Sequence, residues 1–350
     1  MSLSSASRRR ALRTCAAALT AAALPVARAQ NTPVRFQLDT PFGGPAACLL
    51  VPALKGFFKQ EDLNVTLEPG SGAAATITRI AAGQQDMGCT DLAALMEFHA
   101  NNPGAANKPV AVMIVHSNTA AAVLALKKSG IHGPADLTGK RLCAPMNDAA
   151  RRAWPIFARA NAIDGVAWSA ADAAQSDALL IRGDVDAITG PTYSALPDLE
   201  ARGLRSDELV LLPFAQYGVK LYGDAIVAGE DFLRKRPDAV KALLRAFTRG
   251  TREVVGDTRG AIALLKARDK RLDAERELRR LRLVLDFSVL TADARAEGFG
   301  AVTGPRLALM ASQVSDAFGT RERVNANAVW NGSFLPGVAE RNIFAVARRG

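Results

Sequence analysis

Two periods of hydrophobic spacing alternate along this chain. VRFQLD (34–39) is apolar at every second position, the period of a half-buried strand. ACLLVPALKGFFKQ (47–60) predicts a helix with Gly56 near its end, and NVTLEPG (64–70) predicts a second strand. AAATITRIAAG (73–83) changes to helical spacing, with Ile77, Ile80 and Ala81 on one face and Gly83 as a stop signal. DMGCTD (86–91) predicts a short buried strand running into a helix start. VAVMIVH (110–116) and AAVLALKK (121–128) are apolar almost throughout, which predicts central strands. This strand–helix rhythm predicts an α/β fold with mostly parallel sheets.

A second, similar unit begins near residue 120. GPADLTGKRLCAPM (133–146) predicts a turn and a strand, 148–161 a helix, and GVAWSAA (165–171) a strand and turn. ITRIAAGQQDMGCTD (77–91) and DALLIRGDVDAITGP (177–191) share a plan: helix, Gly, Asp, then a short apolar strand ending at small polar residues. One supersecondary solution is therefore used twice, once in each half. YGVKLYGDAIVAG (217–229) predicts a return strand. Helices then follow from Pro237 to Glu253, over about 259–267, over the heavily charged 273–288, and over 304–319. The charged helix is expected to present a solvated face laced with i,i+4 pairs.

The front of the chain changes the charge picture. Arg8, Arg9 and Arg10 precede an apolar run (15–24) and Ala27-Arg28-Ala29, the order of a cleaved secretory signal over residues 1–29. Residues 7–13 resemble a twin-arginine export motif, with Ala11 where that motif favours Phe; general secretion is the alternative. The run is shorter than the roughly 20 residues of a membrane span. Of the 44 basic residues, five are arginines of this leader, leaving 39 against 34 acidic ones. Much of the formal +10 is thus a targeting label, and no compact basic patch with interleaved aromatics suggests nucleic acid. Cys48, Cys89 and Cys143 read as buried free thiols, or two of them as one disulfide; a disulfide-dense scaffold or a metal pair does not fit their spacing.

The segments LKGFFKQEDLNVTLEPGSGAAATITRIAAGQQDMGCTD, SGIHGPADLTGKRL, LLIRGDVDAITGP and FLRKRPDAVKALLRAFTRGTREV occur in a familiar order and spacing. Over about residues 34–337 the chain resembles the periplasmic solute-binding proteins of ABC importers for nitrate, sulfonates, taurine and thiamine-pyrimidine precursors. Within that group it resembles the thiamine-pyrimidine-synthase-like branch. The resemblance implies a two-lobed type II periplasmic-binding-protein fold, each lobe a mostly parallel sheet flanked by helices. Lobe 1 would comprise 32–118 and 219–345, and lobe 2 residues 119–218. It implies a small-molecule ligand, an ABC permease in the inner membrane as partner, a periplasmic monomer, and neither cofactor nor metal.

In such a fold the ligand sits beyond the carboxyl ends of the strands, at helix N-termini. The resemblance therefore assigns cleft positions to Phe42 and Gly43 after the first strand, and to Ser71 and Gly72 at the next helix start. Phe42 would stack on a planar ligand or cap the core. Ser71 would cap the helix or leave its N–H groups to an anion. Thr90 and Asp91 open the following helix, and Ser117 and Asn118 fall at the crossover. Asn147, Asp148, Thr189 and Tyr193 would line the second lobe. Aromatics are only 6% of the chain, and its three tyrosines, Tyr193, Tyr217 and Tyr222, all fall near these loops. Two carboxylates, Asp91 and Asp148, suit a ligand with N–H groups, such as an aminopyrimidine, better than nitrate or a sulfonate.

Catalysis finds little support. His99, His116 and His132 sit in no H-E-x-x-H or nucleophile-elbow motif. GSGAAAT lacks the Gly-Lys-Ser/Thr of a phosphate loop. The fungal thiamine-pyrimidine synthase carries a CCCFC signature that this chain lacks. The expectation is a non-enzymatic solute-binding protein for sulfonate, nitrate or a pyrimidine or aromatic-type compound. A ligand sensor of the same fold and a thiamine-pyrimidine-synthase-like enzyme are the alternatives.

Overall fold

The computed structural model describes residues 31–345. The expected leader, 1–29, lies outside them. Ten strands are formed: β1 (Thr32–Leu38), β2 (Leu63–Glu68), β3 (Met87–Asp91), β4 (Pro109–Ile114), β5 (Ala121–Leu126), β6 (Arg141–Cys143), β7 (Ala167–Ser169), β8 (Ala187–Pro191), β9 (Leu209–Pro213) and β10 (Asp224–Gly229). They make two five-stranded sheets, ordered β2-β1-β3-β10-β4 and β7-β6-β8-β5-β9. In each sheet four strands are mutually parallel and one, β10 or β5, runs against them. The architecture is a two-lobed α/β fold with two mixed, mostly parallel sheets flanked by helices, as the alternating periods predict.

The echo between residues 77–91 and 177–191 is literal in the structure. Arg35 donates from its backbone N–H (2.8 Å) and Nε (3.1 Å) to one Asp86 oxygen, and from Nη2 to the Gly83 carbonyl (3.0 Å). Arg141 repeats all three bonds with Asp186 and the Gly183 carbonyl, at 2.8, 3.1 and 3.0 Å. The Gly-x-x-Asp turn therefore ties a parallel strand, β1 at its middle and β6 at its first residue, to the start of its neighbour in each sheet. Gly83 (φ 70°) and Gly183 (φ 82°) occupy left-handed backbone that other residues adopt at a cost.

Four sequence expectations change. The 47–60 helix is two, Ala47–Leu54 and Phe57–Gln60, because Gly56 takes φ 73° between them. β4 is an edge strand, and β5 sits one place in from an edge, so neither is the sheet centre. β4 is nevertheless buried throughout, since Ala111 bridges to Trp330 and its carbonyl accepts from Asn331 N–H, closing the edge. The 217–229 strand begins only at Asp224, after a 3-10 turn over Phe214–Tyr217.

The charged helix Ala274–Val284 is not a merely solvated face. It continues into a π-helical turn, Leu285–Val289. Arg279 pairs with Glu200 (3.0 Å) and Arg280 with Asp198 (2.6 Å), both on the helix Thr192–Ala201 of the second half. Leu283 packs in the apolar cluster that contains Leu124, Ile188 and Leu199. The helix thus straps the two halves together, and two of its arginines, Arg279 and Arg280, are committed to that contact. Cys48, Cys89 and Cys143 are all buried free thiols.

Candidate functional site

Three carboxylates gather where the inner strands of the first sheet end. Asp39 follows β1, Asp91 ends β3, and Asp224 begins β10. β10 runs antiparallel to β3, so its first residue lands beside the last of β3, and Asp224 and Asp91 are register partners. Burial pushes the Asp91 pKa up to about 6, and the neighbouring Asp224 charge adds to the rise. Burial, then Asp224 and Asp91, push Asp39 upward as well. His116, just past β4, places Nδ1 3.1 Å from an Asp224 oxygen. Among the described residues no group of three or more His, Cys, Asp and Glu is placed to hold a metal ion.

Tyr193 reaches this cluster from the second half. It lies near the start of the Thr192–Ala201 helix, with its ring centroid 6.5 Å from that of His116. Its phenol pKa is raised by burial first, then by the charges of Asp224 and Asp39. It stays a neutral hydroxyl, able to donate a hydrogen bond.

Asp91 also lines a cavity of about 470 Å³ between helices of the two halves. Ser71, Gly72 and Ala73–Ala75 form one wall, at the start of the helix Ala73–Ala81. Gly72 is the N-cap residue (φ 121°) and no side chain caps the helix, so Ser71 is not the capping residue and the first N–H groups are free for an acceptor. The opposite wall includes Asn147 and Arg152, at the helix Ala149–Ala160. Arg152 pairs with Glu97 of the helix Leu92–Asn101, joining the two walls, and its guanidinium lies 4.4 Å over the Phe318 ring. Of the carboxylates at the strand ends only Asp91 lines this cavity; its other lining carboxylate, Glu97, is neutralised by Arg152, and the helix N–H groups at Gly72 lie on another wall.

The sequence-predicted residues divide. Ser71, Gly72, Asp91, Asn147 and Tyr222 line this cavity. Thr90 is fully buried beside Asp91, and its hydroxyl makes a long 3.5 Å bond to the Ala73 carbonyl. Asp148 caps its helix by accepting from Arg151 N–H, and it also accepts from the Thr189 hydroxyl at 2.8 Å, so these two satisfy each other. Phe42 packs on the first core with Arg268 4.9 Å above its ring. Gly43 and Gly44 meet helix Ala274–Val284: Gly44 N–H donates to Glu277 Oε2 at 2.6 Å. A Cβ on Gly44 would lie 2.1 Å from the Glu277 carbonyl oxygen, so this glycine serves helix approach. Tyr217 stacks edge-on against Phe157, 6.3 Å between centroids.

Ser117, Asn118 and Tyr222 form the crossing between the sheets, and Arg306 binds them together. Its guanidinium donates to the Ser117, Lys220 and Leu221 carbonyls and to Asn118 Oδ1, and lies 3.9 Å over the Tyr222 ring. Glu297 and Asp293 balance its charge. The Tyr222 hydroxyl donates to Glu297 at 2.7 Å and accepts from Thr303 N–H. Sequence reading missed Asp39, His116, Arg152, Asp224 and Arg306 as members of this region. A lone arginine in the otherwise apolar start of GPRLALM was the one available sign of Arg306.

The two similar sheets, each with one reversed strand supplied at the crossover, and the cleft between helix starts, define the periplasmic-binding-protein fold. Solved structures agree. The periplasmic aliphatic sulphonate binding protein SsuA from Escherichia coli matches with a TM-score of 0.69 at 16% identity, over 87% of this chain and 94% of that one. The alkanesulfonate-binding protein SsuA from Xanthomonas axonopodis pv. citri, bound to MOPS, matches with 0.64 at 17% identity, over 86% and 99%. The Candida albicans CA3427 gene product, of the generic periplasmic binding protein fold, matches with 0.61 at 11% identity, over 87% and 97%. A search of curated proteins finds no match. The chain belongs to the NMT1/THI5-like family, whose model matches residues 46–261.

Proposed function

We propose that this protein is an extracytoplasmic solute-binding protein that captures one small polar molecule between lobe 1 (32–118 and 219–345) and lobe 2 (119–218) and delivers it, unchanged, to an ABC permease. It acts in the periplasm as a monomer, exported by a cleaved leader. The family match and the SsuA structures, themselves sulfonate-binding proteins, support the solute-binding role.

The ligand carries N–H donors, as an aminopyrimidine does. The observation that carries this reading is the convergence of Asp39, Asp91 and Asp224 at the strand ends. A sulfonate or nitrate there would meet like charge in a poorly solvated site, where such repulsion is strong. The free helix start at Gly72 offers a place for an acceptor atom on the same ligand.

Thermal melts with aminopyrimidines, alkanesulfonates, nitrate and aromatic acids test it, because a ligand bound only by the folded state raises the melting temperature with its concentration. An aminopyrimidine-type shift that Asp91→Asn abolishes is the expected result. A shift confined to sulfonates overturns the ligand class, and turnover of any substrate overturns the binding-only role.

A further inference from the structure

A second cavity, of about 690 Å³, is lined by Arg295, Gly298, Phe299, Val338, Arg341 and Phe344, with three smaller neighbours. It shares no residue with the cavity at Asp91. Arg341 donates from Nη1 to the Phe299 carbonyl at 2.8 Å, and its Nε is buried with no acceptor. Arg295 lies 4.5 Å over the Phe344 ring. Among the described residues neither arginine has a carboxylate within ion-pair distance, although Glu297 lies two positions from Arg295; that carboxylate is taken by Arg306 and Tyr222. Gly298 (φ 84°) leaves the space that Arg341 fills, since a Cβ there would lie 2.9 Å from Nη1.

The contrast with Arg306 is chemical. The fold answers that buried guanidinium with two carboxylates and four acceptors, whereas Arg341 receives one carbonyl. Burial depresses the Arg341 pKa, with no opposing charge to hold it up. A partly buried cation without a counter-charge is unfavourable, and an anion placed beside it relieves that cost. The remaining wall is apolar apart from Asn342, whose Oδ1 accepts from Phe344 N–H, and Val338 at its rim is 73% exposed.

We propose that this pocket binds a small organic carboxylate: the carboxylate faces Arg341 and Arg295, and a short apolar body lies against Phe299, Phe344 and Val338. Guanidinium and carboxylate match in a two-bond fork, which gives the head group its specificity.

Titration calorimetry of the full-length protein with hexanoate, and with hexylammonium as the charge-reversed probe, tests the assignment. Hexanoate is expected to bind at one site and hexylammonium not to bind. Arg341→Met and the exposed Arg295→Met are each expected to weaken hexanoate by about tenfold or more, the usual weight of a charge-assisted bond. Arg295→Met stands on an exposed side chain, so it reports on binding even where Arg341→Met fails to fold. Absence of hexanoate binding, or equal binding by Arg295→Met, overturns the proposal. So does hexanoate binding that Asp91→Asn abolishes, because that places the probe in the interlobe cleft.

Discussion

Asp91 and Asp224 face each other as register partners across the antiparallel pair β3–β10, two carboxylates where a sheet ordinarily avoids like charges. Asp91 is also an N-cap, accepting from Ala94 N–H at 2.9 Å, and caps need only a side-chain oxygen. An asparagine would cap equally well. The charge therefore exceeds the structural need, and the equivalent position in the second half, Pro191, has none.

Asp91→Asn separates the two roles. The Asp91 pKa is raised in the folded protein, so the native state holds its proton more tightly than the unfolded chain. Its contribution to stability is present below the unfolded value near 3.8 and is lost as pH rises through about 6. The variant should then be more stable than wild type at pH 8, by up to roughly 3 kcal/mol, and little different at pH 4. Thermal melts at the two pH values check this, with ligand affinity falling in the same variant.

Gly44→Ala should destabilise strongly. The new Cβ would sit 2.1 Å from the Glu277 carbonyl oxygen, and the backbone of the strapping helix must move. Overpacking of this kind costs about 1–3 kcal/mol. Gly104→Ala, with nothing within 4 Å, serves as the comparison and should change little in the same denaturant titration.

Arg306→Met would leave Glu297, Asp293 and the carbonyls of Ser117, Lys220 and Leu221 without their common donor. Breaking a buried ion pair from one side costs about 3–5 kcal/mol. Urea unfolding should show that loss, and hydrogen exchange should rise selectively over 116–119 and 220–223.

The pairs Arg279–Glu200 and Arg280–Asp198 are partly exposed, so each contributes less than about 1 kcal/mol to stability. Their position matters more than their strength. The double variant Glu200→Gln, Asp198→Asn should melt within a few degrees of wild type yet give a larger radius of gyration by small-angle X-ray scattering, as the strap loosens.

Much of the fold was legible because two periods and a repeated Gly-x-x-Asp turn carry it. Residues 77–91 and 177–191 announced the duplication, and Arg35–Asp86 with Arg141–Asp186 realise it bond for bond. Part of the candidate cavity was legible for the same reason: strand ends and helix starts can be found from pattern, and Ser71, Gly72, Asp91 and Asn147, chosen on that ground, fall in its lining. What pattern could not supply was partnership across the chain. Gly43 and Gly44 look like a ligand loop until Glu277, more than 230 residues on, takes the space. Asp224 looks like any strand-opening residue until antiparallel register sets it beside Asp91. Tyr222 looks like a rim aromatic until Arg306 and Glu297 hold it in the crossing.

The strand order has a consequence for assembly. β10 lies between β3 and β4, so the first sheet stays incomplete from Ile114 until Asp224 has been made, and β4 waits with both backbone edges open. The second sheet is contiguous in the chain, from β5 to β9, and has all its strands before β10 appears. Closure therefore runs against synthesis: the half that emerges later is the first able to finish. The apolar strand β4 is the segment most in need of shelter from other chains during that interval.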